Sequence, residues 1–150
     1  MIAGCRQNVK NDLINKVDRQ CGDKPKGSCI VNLKDVTDFK WDRMYIFPNW
    51  TSSDTISKIT GLNYTGNDVE DQYYRMLFVS RNAVVHEEDN KDLDYYNSSI
   101  EFLGTDTTDL NGNGYSLTYS QAVFTVIKGK IEGACPKCFL YSFSAVEKGH

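Results

Sequence analysis

Residues 73–79 (Tyr-Tyr-Arg-Met-Leu-Phe-Val), then Ser80-Arg81-Asn82, then residues 83–86 constrain this chain more than any other stretch. The first run is aromatic and aliphatic, with no proline or glycine to interrupt a ladder. Asparagine tolerates the left-handed backbone that a tight connection requires. The two runs therefore read as a β-hairpin, and a hairpin forces antiparallel pairing.

The remaining segments extend that reading. Residues 7–20 place Val9, Leu13 and Val17 every four residues with Ile14 beside them, the pattern of an amphipathic helix. Residues 29–33 and 41–47 read as strands. In the second, Trp41, Arg43, Tyr45 and Phe47 share one face, and Asp42, Met44 and Ile46 the other. Pro48 ends it because proline has no amide hydrogen for a ladder. A short helix follows, with Ser52 or Ser53 as N-cap, Asp54 in the first turn, Ile56 and Ile59 facing inward and Gly61 as terminator. Residues 87–94 read as an acidic, solvated loop. Residues 100–103, 115–128 (bent near Ser120-Gln121) and 139–143 read as strands, with a turn opening at Gly129 and another at Cys135-Pro136-Lys137-Cys138. The expected fold is α+β: a mainly antiparallel, curled sheet of about six strands, an N-terminal helix and a second short helix. A sheet curled almost into a barrel is the alternative.

Bulk properties narrow the function. The chain has 150 residues, enough for one domain with a real core. Its net charge is -3 and no Lys/Arg cluster appears, which disfavours nucleic acid as a partner. No apolar run approaches the roughly 20 residues that span a bilayer. Eighteen aromatic residues (nine Tyr, seven Phe, two Trp) suit a pleated, half-buried surface.

The tetrapeptide Ile2-Ala3-Gly4-Cys5 resembles the lipobox of bacterial lipoproteins: an aliphatic residue, two small residues, then cysteine. The resemblance implies a diacylglycerol on the Cys5 sulfur and an extracytoplasmic address in the cell envelope. Residues 1–6 then form a lipid-attachment segment and residues 7–150 one globular domain. Two or three acyl chains make a stable anchor at roughly 0.8 kcal/mol per buried CH₂, so membrane contact runs through the lipid alone. The stretch Phe39-Lys40-Trp41-Asp42, with the aromatic strand and the Ser-capped helix that follow it, is similar to a pattern in small bacterial lipoproteins of unassigned function. That similarity implies a fold and a compartment and carries over no catalytic residue.

Five cysteines fit this address. With Cys5 acylated, Cys21, Cys29, Cys135 and Cys138 remain, an even number suited to two disulfides. Proximity favours Cys21–Cys29 and Cys135–Cys138. A crossed pattern tying the N-terminal segment to the last strand is the alternative.

Chemistry-bearing motifs are weak. Cys135-Pro136-Lys137-Cys138 has redox spacing, yet a β-rich segment follows where thioredoxin-like chemistry needs a helix N-terminus. The four cysteines have poor spacing for zinc. Asp109-Leu110-Asn111-Gly112-Asn113-Gly114 resembles the opening of a calcium loop, but Ser120 stands where the closing Glu belongs. His86 beside Glu87 and Glu88 reads as a surface residue, and His150 ends the chain. No nucleophile elbow, phosphate loop or two-histidine metal motif occurs, so neither enzyme activity nor a cofactor is expected.

The acidic run with its tyrosines is the candidate binding surface: Glu87, Glu88, Asp92, Asp94, Tyr95 and Tyr96. Carboxylates steer a basic partner and rings supply contact area. The expected function is a membrane-anchored extracytoplasmic binding protein whose partner is another protein. An inhibitor or immunity protein against a secreted toxin or cell-wall enzyme fits that role. The alternative is a lipocalin-like carrier of a small apolar ligand inside the aromatic sheet.

Overall fold

The computed structural model describes residues 7–22, 29–104 and 108–146. Cys5, the whole 1–6 segment and His150 lie outside the described residues.

Helix α1 (Val9–Gln20) starts at Asn8, whose side chain accepts the amide hydrogen of Asn11 at 2.9 Å. Its apolar stripe Val9, Leu13 and Val17 is buried as the spacing predicts. Strand β1 (Cys29–Asn32) leads through a 3-10 turn (Leu33–Asp35) toward β2 (Arg43–Phe47). Helix α2 (Ser53–Thr60) is capped by Ser52, whose hydroxyl accepts from the Thr55 amide at 3.1 Å, and ends at Gly61 with φ 73°. Replacing Ser52 by alanine would cost about 1 kcal/mol. The hairpin of β3 (Tyr73–Ser80) and β4 (Ala83–Lys91) turns on Arg81 and Asn82, both left-handed at φ 50° and 63°. Strands β5 (Ser99–Leu103), β6 (Tyr115–Thr118), β7 (Val123–Lys130) and β8 (Phe139–Ala145) complete the described elements.

The α+β class stands, but the single curled sheet of about six strands does not. Eight strands form two unclosed four-stranded sheets, ordered β1-β7-β8-β5 and β4-β3-β2-β6. The bend foreseen near Ser120-Gln121 is the reason. A 3-10 turn at Tyr119–Gln121 carries the chain from β6 in one sheet to β7 in the other. The turn is pinned by the Thr118 amide donating to Gln121 Oε1 at 2.9 Å. All pairings are antiparallel except β5 with β8.

Two local expectations fail. Gly129 opens no turn; it pairs with Leu140 inside the β7–β8 ladder. Residues 87–91 are not loop; they continue β4 alongside β3, from Leu77↔Glu87 to Tyr73↔Lys91.

The β2–β3 pair is buried on both faces. Met44, Ile46, Tyr74, Met76 and Phe78 face the other sheet and α1, while Tyr45, Phe47, Leu77 and Val79 lie under Ile56 of α2 and Val69. Two covered faces explain the unbroken apolar run at the end of β3. Each such buried side chain contributes about 1.5–3 kcal/mol. Between the sheets, Phe102, Phe124 and Phe143 contact one another with ring centroids 5.4–5.9 Å apart.

Candidate functional site: an aromatic cleft beside an acidic strand

The structure divides the six expected binding residues among three environments. Side chains alternate along β4, so neighbouring acids face opposite ways. Glu88 points inward to the start of α1. Its Oε1 accepts the Val9 amide hydrogen at 2.8 Å and its Oε2 that of Lys10 at 3.0 Å. Asn90 Nδ2 donates to it at 3.0 Å, and His86 Nε2 lies 3.1 Å from Oε1. Burial alone would raise the Glu88 pKa. The hydrogen bonds from His86, Asn90 and the two helix amides outweigh it and hold the pKa below the ordinary glutamate value. His86 is buried, not a surface residue; its ring stacks on Phe39 at 4.9 Å.

Glu87 points outward, to Arg75 of β3. The buried Arg75 guanidinium forks onto Asp89 with bonds of 2.7 and 2.8 Å. It lies 3.1 Å from Glu87, and donates to the Tyr64 hydroxyl at 2.9 Å and to the Asn67 carbonyl. The Tyr64 hydroxyl donates to Glu87. Burial opposes the charge on Arg75, yet the hydrogen bond and charge of Asp89 keep its pKa raised. Burial and the Glu87 hydrogen bond push the Tyr64 phenol up as well. Glu87 and Glu88 thus serve internal networks.

Asp92, Asp94, Tyr95 and Tyr96 remain together. They lie in the connection from β4 to β5 and line an open cleft of about 440 Å³. Lys91 and Leu93 adjoin them in the chain, while Asn49 and Gln72 reach the cleft from two other loops. Several bonds fix this geometry. The Asp92 amide donates to the Gln72 carbonyl at 2.8 Å, and Asn49 Nδ2 to Asp92 Oδ2 at 3.3 Å. Asp94 accepts from the Tyr96 amide at 2.9 Å and from Asn97 Nδ2 at 3.2 Å, an Asx turn that projects the Tyr96 ring outward. The Asp94 amide donates to Ser99 Oγ at 2.7 Å. The Tyr95 carbonyl accepts the Cys135 amide hydrogen at 3.2 Å, which ties the Cys135–Cys138 loop to the cleft. Burial raises the Asp92 pKa against the Asn49 bond. The Tyr96 amide lowers that of Asp94.

Sequence reasoning missed Asn49, Trp50 and Gln72. Trp50 follows the cleft residue Asn49 and is 72% exposed; Tyr96 is 85% and Tyr95 50% exposed. These are the three most exposed aromatic side chains among the described residues. Trp50 and Gln72 also hold left-handed backbones, φ 67° and 68°. A large side chain rarely adopts that region, and such strain concentrates where a ligand or partner is held. Trp50 is locked there because its amide donates to the Val69 carbonyl at 3.0 Å and the Val69 amide returns a bond to Thr51 at 2.8 Å. The one sequence signal was a tryptophan in a polar stretch directly after Pro48-Asn49.

The other motifs resolve to structure. Cys21–Cys29 and Cys135–Cys138 are disulfide-bonded, with Cα atoms 5.5 and 5.1 Å apart. Bonded sulfurs offer no thiolate to a metal. Asp109 accepts the Gly112 amide hydrogen at 3.4 Å within a turn in which Asn111 and Gly112 are left-handed. Among the described residues, no three acidic, histidine or cysteine side chains converge on a metal position, and no helix is long and apolar enough to cross a membrane.

No family model, no curated protein and no solved structure matches this chain.

Proposed function

We propose that this chain is an extracytoplasmic binding protein, held to the envelope by lipid on Cys5, that grips another macromolecule through the cleft at residues 91–96. The observation that carries the reading is that Tyr95 and Tyr96, two of the most exposed aromatics described, line a cleft that also holds Asp92 and Asp94. Exposed rings have no folding benefit to explain them; covered by a partner, they supply most of an interface's energy. The two disulfides fit an oxidising compartment. The contact among Phe102, Phe124 and Phe143 fills space that a lipocalin-like carrier would keep for its ligand, and so favours a surface site.

Crosslinking in living cells tests the cleft. The natural chain should capture a component that both a Tyr95→Ala/Tyr96→Ala variant and an Asp92→Lys/Asp94→Lys variant lose. Equal capture by all three rejects it. Mass spectrometry of the native product tests the anchor separately: an acylated thioether at Cys5 is expected, and a bare thiol removes it.

A further inference from the structure

From the cleft's geometry we propose that its ligand is a neutral oligosaccharide. This rests on the cleft being the working surface and names what it holds.

The cleft offers donors from Asn49, Gln72 and Lys91 and acceptors from Asp92 and Asp94, with ring faces from Tyr95 and Tyr96. An apolar ligand would strip water from those groups and return no hydrogen bonds, which is costly. Two carboxylates against the single Lys91 disfavour a phosphate or another anion. A sugar satisfies both sets. Each hydroxyl donates and accepts, so adjacent hydroxyls bridge an amide and a carboxylate at once. Each carboxylate oxygen keeps a second lone pair beyond the bonds it already accepts from Asn49, Tyr96 and Asn97. The C–H faces of a pyranose then stack on exposed tyrosine rings, as apolar surface does on any aromatic face.

Scale points the same way. An open cleft of about 440 Å³ falls in the range of small-ligand pockets. Gln72, which lines the cleft, and Trp50, which follows the lining residue Asn49, hold left-handed backbones in two separate loops. Both conformations are held in place before any ligand arrives, which lowers the cost of binding.

The test uses the full chain and three neutral probes: maltotriose, cellotriose and tri-N-acetylchitotriose. Inorganic phosphate and a peptide alternating valine and lysine serve as the competing chemistries. Trp50 fluorescence is a convenient signal because the other tryptophan, Trp41, is buried. Amide NMR shifts at Asp92 and Tyr96 locate the site independently. At least one trisaccharide should saturate both signals, and Tyr95→Ala and Tyr96→Ala should each weaken it by about threefold to tenfold. These rings are exposed, so the variants keep their fold, checked by circular dichroism. No shift from any of the three sugars overturns the proposal. Binding of the lysine peptide alone, lost in Tyr96→Ala, also overturns it while leaving the cleft as the working surface. Failure of every probe, together with unchanged crosslinking by the tyrosine variants, brings down both.

Discussion

Glu88 accepts the amide hydrogen of Val9, 79 residues earlier in the chain, at 2.8 Å. With the matching bond from Lys10, one carboxylate of β4 satisfies two of the free amides that open α1 and meets the positive end of its dipole. Glu88→Ala should cost about 2 kcal/mol, because it also leaves His86 and Asn90 without their partner. Glu88→Gln keeps the shape and should cost less. Urea denaturation of both variants measures the difference; equal stability of Glu88→Ala and the natural chain would rule out this cap.

The same carboxylate sets an acid limit. Its pKa is depressed in the folded chain, so its contribution is complete above the ordinary glutamate value and is lost as pH falls through the lower folded value. Stability should therefore hold level near neutrality and drop from about pH 4.5 downward. Glu88→Gln should flatten part of that drop. Urea midpoints taken across the acid range provide the comparison.

Arg75 holds two acids together. Its side chain is 5% exposed, and it lies within 3.1 Å of both Glu87 and Asp89. Arg75→Met leaves two facing carboxylates uncompensated and should cost about 3 kcal/mol, the low end for a broken buried pair because the acids are partly solvated. Arg75→Lys should recover little, since a point charge cannot fork onto Asp89. Thermal melts of both variants decide this; full rescue by lysine would show that only the charge matters.

Trp50 holds a left-handed backbone while its ring stays exposed. Glycine occupies φ 67° without the steric penalty that tryptophan meets there. Trp50→Gly should leave stability in thermal melts within about 1 kcal/mol, because relief of the left-handed strain is offset by the freedom that glycine gives the unfolded chain. A variant that loses stability would mean that Trp50 packs as a structural residue.

The hairpin of β3 and β4 and helix α2 were legible in the sequence because their signals are local. Asn82 fits its left-handed position, Ser52 its cap and Gly61 its terminus. The division into two sheets was not legible. Ser120-Gln121 marked a bend, but which sheet receives β7 depends on pairing with β1 and β8, far away in sequence. The acids of β4 misled for the same reason. A run of charges looks solvated until Arg75 and the start of α1 arrive from elsewhere. Of the proposed surface, Asp92, Asp94, Tyr95 and Tyr96 were visible as one segment. Asn49 and Gln72 join them only through the fold.

The parallel partnership of β5 with β8 governs when this sheet can form. β8 is the last strand among the described residues and sits between β7 and β5. A chain emerging from a ribosome therefore carries Ser99–Leu103 without its neighbour until Phe139–Ala145 has been made. That sheet reaches its full strand order only once Phe139–Ala145 is available, so β5 stays unpaired while the intervening residues are made.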